Sequence, residues 1–260
     1  MPAHARRIAV ALTGASLLAG AAATAEAATV TRGAGSIRYA GRTGVVASFR
    51  PGLGPAIEFA TQRSPLAATP EPIVGCPPRV PEQTEIINVS CRLSGVSRVT
   101  LLVGRAGGAG VVGSIDALPV RARVYGGPHG DNLLVTDRPR SERGPIWTAR
   151  RLVPALYGGG GSDQLRLWAP YTGRPSGGGF ASGGPGNDRI AGSQIPDLLL
   201  GGTGNDTINV RGGARDVVDC GPGRDSVFLD PGDVARRCEL FNKLFPSTGI
   251  DITIRPGEVP

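Results

Sequence analysis

Histidine, methionine and large aromatic side chains are scarce in this chain, which has 2 histidines, 1 methionine, 2 tryptophans and an aromatic content of 5%. Lys243 is its only lysine. So few bulky side chains exclude a conventional helical or sandwich core, where large residues fill the interior. The lack of histidine bears on catalysis. His129 is the only histidine past the first few residues, so histidine-dependent triads and two-histidine zinc motifs have almost nothing to draw on. The chain has no GxSxG elbow and no HExxH helix motif, and no cysteine stands in a CxxC pair, so neither a hydrolase elbow nor a zinc site is expected. His129 reads as a tolerated turn residue. Paired aspartates can do acid–base work in glycoside hydrolysis, but the spacing described below explains them better as turn residues. The expectation is a protein without an active site.

Beyond the N-terminus, no run is long and apolar enough to cross a bilayer. At the N-terminus itself, Arg6 and Arg7 lead into an apolar stretch, Ile8 to Leu18, and then a small-residue segment ending Ala25-Glu26-Ala27. That is the layout of a secretory signal peptide. Its apolar core is shorter than the ~20 residues of a spanning helix, so residues 1–27 are expected to be cleaved. The mature chain is then secreted, or held at the cell surface by other contacts, with no transmembrane segment. Loss of Arg6, Arg7 and Glu26 changes the formal charge from +7 to +6, 26 basic residues against 20 acidic. Such a basic chain could meet anionic envelope polymers. The arginines are nevertheless scattered along the sequence, and no aromatic-rich basic face or nucleic-acid motif accompanies them, so a nucleic-acid partner is not expected.

What the chain has in excess is glycine, 41 residues, together with 23 prolines. From residue 183 it reads GGPGNDRIA, GSQIPDLLL and GGTGNDTIN in direct succession, then, after Val210, RGGARDVVD and CGPGRDSVF. Asp188, Asp197, Asp206, Asp216 and Asp225 recur at intervals of 9, 9, 10 and 9. An apolar residue follows each by two places: Ile190, Leu199, Ile208, Val218 and Val227. A fixed short period of this kind is the mark of a solenoid. Paired glycines let the backbone turn sharply, the aspartate adds a hard oxygen beside main-chain carbonyls, and the last three residues form a short strand with its apolar member inward.

Two nonapeptides make one coil, so residues eighteen apart stack on one edge. This places Asp188 over Asp206 and then Asp225, with Asp197, Asp216 and Asp233 on the other edge. A cation between stacked turns would collect six or more oxygens at the ~2.3–2.6 Å that calcium prefers. Without it, stacked carboxylates repel, so metal binding and folding should be coupled.

These residues resemble the hemolysin-type (RTX) calcium-binding repeat, GGxGxDxUx. The closest matches are 183–191 and 201–209, with GGGGSDQLR at 158–166 also good and GGPHGDNLL at 126–134 carrying His129 where glycine belongs. The resemblance implies an all-β fold, a parallel β-roll with a β-strand cap at its N-terminal end, and Ca2+ as the bound ion. The metal would be held by Asp163, Asp188, Asp197, Asp206, Asp216 and Asp225, with Gly183, Pro185, Gly201 and Thr203 in the best-formed pair of turns. GSQIPDLLL lacks two glycines and RGGARDVVD has shifted ones, so the second edge looks poorly made. An insertion, Trp168 to Ser182, breaks the phase between Asp163 and Asp188. One to three occupied sites are expected, the best between the turns at Gly183 and Gly201, with Asp131 and Asp163 as remnants.

Four cysteines in an exported chain suggest two disulfides, with three possible connectivities; sequence-local pairing is favoured. Cys238 follows Cys220 by eighteen residues, one full coil. Coil spacing of ~4.8 Å suits a disulfide; the loop closure is worth about 3 kcal/mol. Residues 220–239 also look like the closing segment of secreted actinobacterial-type repeat proteins. Cys76 and Cys91 would clip a hairpin within residues 28–124, where the runs SIRYA, VVASF, AIEFA, INVSC and VTLLV give strand signals. The run from Gly104 keeps only Asp116 of an acidic repeat. The expected divisions are a leader at 1–27, a β-rich cap at 28–124, the roll at 125–238 and a tail at 239–260. The reading is thus a secreted calcium-binding solenoid. Its alternative is a metal-independent structural or adhesive solenoid that binds envelope polymers, its aspartates serving only turn hydrogen bonds.

Overall fold

The computed structural model describes residues 29–41, 45–50, 56–61, 78–79, 88–103, 112–116, 119–136, 153–168 and 178–243. The leader, Cys76 and residues 244–260 lie outside them. Every described element is a strand, and the strands form two sheets of nine and eleven. The first sheet runs β1 (Thr29–Gly33), β2 (Ser36–Ala40), β7 (Arg98–Leu102), β9 (Arg121–Tyr125), β11 (Ala155–Tyr157), β13 (Gly179–Pro185), β15 (Asp197–Thr203), β17 (Val217–Asp219), β19 (Val234–Arg236). The second holds β5 (Pro78–Arg79), β6 (Asn88–Arg92), β4 (Ala56–Thr61), β3 (Val45–Arg50), β8 (Val112–Asp116), β10 (Asn132–Thr136), β12 (Gln164–Trp168), β14 (Arg189–Ala191), β16 (Thr207–Asn209), β18 (Ser226–Leu229) and β20 (Leu240–Lys243).

From β7 onward the chain alternates between the sheets, and each strand pairs in parallel with the strand one coil away. This is a parallel β-roll. The nonapeptide dictates it: three-residue strands such as Arg189–Ala191 and Thr207–Asn209 show one inward residue between two outward ones. Inward residues stack into two facing columns, Leu165–Ile190–Ile208–Val227 in one sheet and Leu156–Ala181–Leu199–Val218 in the other. All eight are at most 2% exposed. Each large member of the columns contributes on the order of 1.5–3 kcal/mol by burial, so these thin coils have little apolar core per residue.

The roll extends beyond its expected limits. No sheet boundary falls between residues 124 and 125, because β2 pairs in parallel with β7 and β3 with β8. Antiparallel pairing among the described strands is confined to β1/β2, β3/β4, β4/β6 and β5/β6, which close the N-terminal end. Parallel stacking needs only a coil of matching length and an inward apolar residue, and β2 and β7 supply Ile37 and Val99 in register. At the other end β20 pairs with β18, so Leu240–Lys243 belongs to the roll instead of the tail. The insertion after Trp168 leaves the stack intact: Leu165 pairs with Ile190 and Tyr157 with Ser182.

Candidate metal centre

The GGxGxD turns stack backbone on backbone. Gly184 and Gly202 have φ of 113° and 120°, conformations that L side chains rarely adopt, and a Cβ on Gly202 would collide with the Gly184 carbonyl oxygen. This close stacking brings each aspartate under the next. The backbone N–H of Asp131 donates to Asp163 Oδ1 (2.6 Å), that of Asp163 to Asp188 Oδ1 (2.8 Å), that of Asp188 to Asp206 Oδ1 (2.8 Å) and that of Asp206 to Asp225 Oδ1 (2.8 Å). The ladder ends where Asp225 N–H donates to Glu239 Oε2 at 2.7 Å. All five aspartates are at most 3% exposed.

One oxygen of each carboxylate is thus used by the fold. The other, Oδ2, is buried without a hydrogen-bond partner among the described residues at Asp163, Asp188, Asp206 and Asp225. A buried polar oxygen left unpaired costs on the order of 1–3 kcal/mol, and more when charged. Carbonyl oxygens close in beside three of these atoms. A Cβ on Gly158 would collide with Asp163 Oδ2 and the Gly183 carbonyl oxygen, one on Gly183 with Asp188 Oδ2 and the Gly201 carbonyl oxygen, and one on Gly201 with Asp206 Oδ2 and the Cys220 carbonyl oxygen. Each turn therefore offers one unpaired carboxylate oxygen beside a carbonyl of the following coil. Among the described residues no three His, Cys, Asp or Glu side chains gather as a metal-holding group. The donors are one carboxylate per coil plus main-chain oxygens, the all-oxygen chemistry of a hard cation such as calcium and not that of zinc. The residues fit the ion.

Burial holds these carboxyls above the usual carboxylate range. It pushes Asp188 up to about 6 and Asp163 and Asp206 up to about 7, with the neighbouring aspartates adding like-charge repulsion at the last two. Asp225 is raised by the same cause.

The second edge is shorter and differently satisfied. Gly179 N–H donates to Asp197 Oδ1 (3.0 Å), Asp197 N–H to Asp216 Oδ1 (2.7 Å) and Asp216 N–H to Asp233 Oδ1 (3.0 Å). Asp197 has no unpaired oxygen, because Ser193 donates its N–H to Oδ2 (2.5 Å) and its hydroxyl to Oδ1 (3.1 Å). Only Asp216 Oδ2 is left unpaired on this edge among the described residues, and burial raises Asp216 to about 7.

The structure therefore brings Asp163, Asp188, Asp206 and Asp225 onto one edge and Asp197 and Asp216 onto the other. Gly183 and Gly201 supply converging carbonyls. Pro185 and Thr203 pair across coils on the exposed rim, and the Thr203 carbonyl accepts from Gly186 N–H at 2.8 Å. Asp131 is part of the ladder. Glu239 escaped sequence reasoning because it stands fourteen residues after Asp225 and out of the nonapeptide phase; its longer side chain reaches the next N–H. Asp230 N–H donates to the second oxygen of Asp233 at 2.7 Å.

A family model for the RTX calcium-binding nonapeptide repeat matches residues 182–217 in four copies. Residues 182–217 are thus RTX-type nonapeptide repeats. RTX repeats bind Ca2+, and the match takes in turns of both edges. The ladder continues past the matched segment, to Asp163 and Asp131 on one side and Asp225 and Glu239 on the other. No curated protein and no solved structure matches the chain.

Cys220 lies one coil after the turn glycines, its carbonyl oxygen accepting from Gly202 N–H at 3.0 Å, and is bonded to Cys238 with Cα atoms 5.2 Å apart. The bond joins successive coils, as the spacing implies. Cys91 is fully buried and disulfide-bonded.

Proposed function

We propose that the mature chain is a secreted, non-catalytic calcium-binding roll that completes its folding outside the cell, and that its calcium sits chiefly on the edge built by Asp163, Asp188, Asp206 and Asp225. The observation that carries this reading is the row of buried Oδ2 atoms without partners on that edge. Bound calcium would supply the missing charge and the missing partner together. Without it, the stacked carboxylates must either take up protons or repel one another.

In this reading the chain crosses the membrane unfolded, because low calcium leaves the carboxylates uncompensated. Outside the cell the turns close, and coils add to the C-terminal coil stapled by Cys220–Cys238. Asp206 holds the backbone of Asp188, and Asp188 that of Asp163, through Oδ1; both present Oδ2 to the ion, while the turn glycines keep side chains out of the space between coils.

The test is a calcium titration of the mature chain followed by far-UV circular dichroism and calorimetry, beside the variant Asp188→Asn/Asp206→Asn. Asparagine keeps the Oδ1 acceptor and removes the charge. The expected outcome is a calcium-dependent gain of β structure in the parent, and a variant more stable than the parent in chelator yet with its calcium response much reduced. A parent equally folded in chelator and in millimolar calcium would reject the reading and leave a metal-independent solenoid.

A further inference from the structure

The outward face of the nine-stranded sheet is unlike the turns in chemistry. Its N-terminal half projects Arg38 from β2, Arg98 from β7, and Arg121 and Arg123 from β9, all exposed. Arg98 stands directly beside Arg121, and Arg38 and Arg123 flank Thr100 in the adjoining row. Among the described residues none of the four has an ion-pair partner, and no outward position of β2, β7, β9, β11, β13 or β15 is acidic. The first carboxylate met along the face is Asp219 on β17, and Arg237 already occupies it at 2.7 Å. Four unpaired guanidiniums on three neighbouring strands repel one another, a cost that an anion laid across them would remove.

Next to the arginines, Tyr125 and Tyr157 stack with ring centroids 4.6 Å apart and planes 12° from parallel. Rings closed on each other in this way leave no gap for a nucleobase to enter. Both tyrosines are half-buried on this face, and a phenolic hydroxyl both donates and accepts hydrogen bonds, which suits oxygen-rich ligands. Strands ~4.8 Å apart also repeat at about the length of one sugar unit, so a linear chain with one carboxylate per sugar can meet a guanidinium at successive strands.

We infer that this face, from Arg38 to Tyr157, binds a linear acidic polysaccharide lying along the roll axis, with Arg98, Arg121, Arg38 and Arg123 pairing its carboxylates and Tyr125 and Tyr157 bonding its hydroxyls. Guanidinium and carboxylate match as a bidentate pair. The site lies on a sheet face and the calcium turns lie on the edges, so the two can fail separately.

The experiment uses the mature chain in calcium and three probes: a short oligogalacturonate, its fully methyl-esterified form, and single-stranded DNA of equal charge. The acid oligomer is expected to bind with a salt-sensitive affinity, the ester at least tenfold more weakly, and DNA more weakly than the acid. Arg98→Ser/Arg121→Ser should weaken the acid oligomer about tenfold or more while the calcium titration stays that of the parent, and Arg121→Lys should fall between. If the serine variant loses its calcium response as well, dicarbonyl labelling of the unaltered protein decides: the acid oligomer must protect Arg98 and Arg121 from modification. No binding of the acid oligomer at low salt, equal binding of the ester, tighter binding of DNA, unchanged affinity in the folded serine variant, or absent protection would each overturn the inference.

Discussion

At the scale of single residues, the aspartates do two jobs with two oxygens. Oδ1 holds the neighbouring coil through its N–H, and Oδ2 waits for charge. The pH dependence follows from the raised pKa values. In chelator the folded protein binds protons that the unfolded chain has already lost, because Asp188 titrates near 6 and Asp163, Asp206 and Asp216 near 7 when folded, against 3.8 for an unperturbed aspartate. Stability of the calcium-free roll must therefore fall as pH rises from about 4 to 7. Thermal melts in chelator should give a higher Tm near pH 5 than near pH 8. Calcium competes with the same protons, so its stabilising effect should grow over that window. A calcium-free Tm that rises with pH would contradict this account of the carboxylates. The glycines provide a second check. Gly183→Ala and Gly201→Ala push a methyl group against both a carboxylate and a carbonyl oxygen, whereas Gly212, with φ of 86°, has nothing within 4 Å of an added Cβ. Gly212→Ala should cost the ~1 kcal/mol of backbone strain alone, and the two turn variants at least ~2 kcal/mol together with most of the calcium response, read from denaturant melts with and without calcium.

At the scale of elements, the fold is legible in the sequence wherever the nonapeptide period holds. Where Asp and the residue two places later recur in phase, strands, inward residues and edge assignment could all be read off, as with Ile190, Ile208 and Val227. Two elements hid because their signals are not periodic. Glu239 closes the ladder from outside the phase, and Ser193 satisfies Asp197 from within a turn that has lost its glycines. The poor second edge was visible in the missing glycines, but not that a serine hydroxyl and amide take up its carboxylate. The last coil is the element most open to test. Leu240 and Phe241 remain 43% exposed, so β20 has little burial to hold it, and Cys220–Cys238 ties the coil that precedes it. Cys220→Ser/Cys238→Ser should lower stability by about 3 kcal/mol. Hydrogen exchange should show the loss first at β17 to β20, since a terminal coil frays before its neighbours. Uniform loss along the roll would mean that the bond acts on the unfolded chain alone.

At the scale of the whole molecule, the roll is one pair of sheets but not one kind of core. Its N-terminal coils have no acidic period to betray them, and the division expected at residue 125 marks only where the turn aspartates give way to strand signals. Parallel pairing continues through that point on backbone hydrogen bonds and apolar columns alone. Those coils bury Ile37, Tyr39, Ile57, Val99 and Leu101 at 1% exposure or less. The coils from Leu156 to Val227 set narrow columns of aliphatic side chains against a row of buried carboxylates. In a solenoid each coil answers mainly to its neighbours, so removal of calcium should not act evenly. Hydrogen exchange in chelator should open β12 to β18 while amides of β2 and β7 keep protection, and added calcium should restore the C-terminal coils together, because each aspartate bridges two of them. Simultaneous loss of protection at β2, β7 and β16 would show that the apolar N-terminal coils cannot stand without the charged ones, and that the carboxylate ladder governs the entire roll.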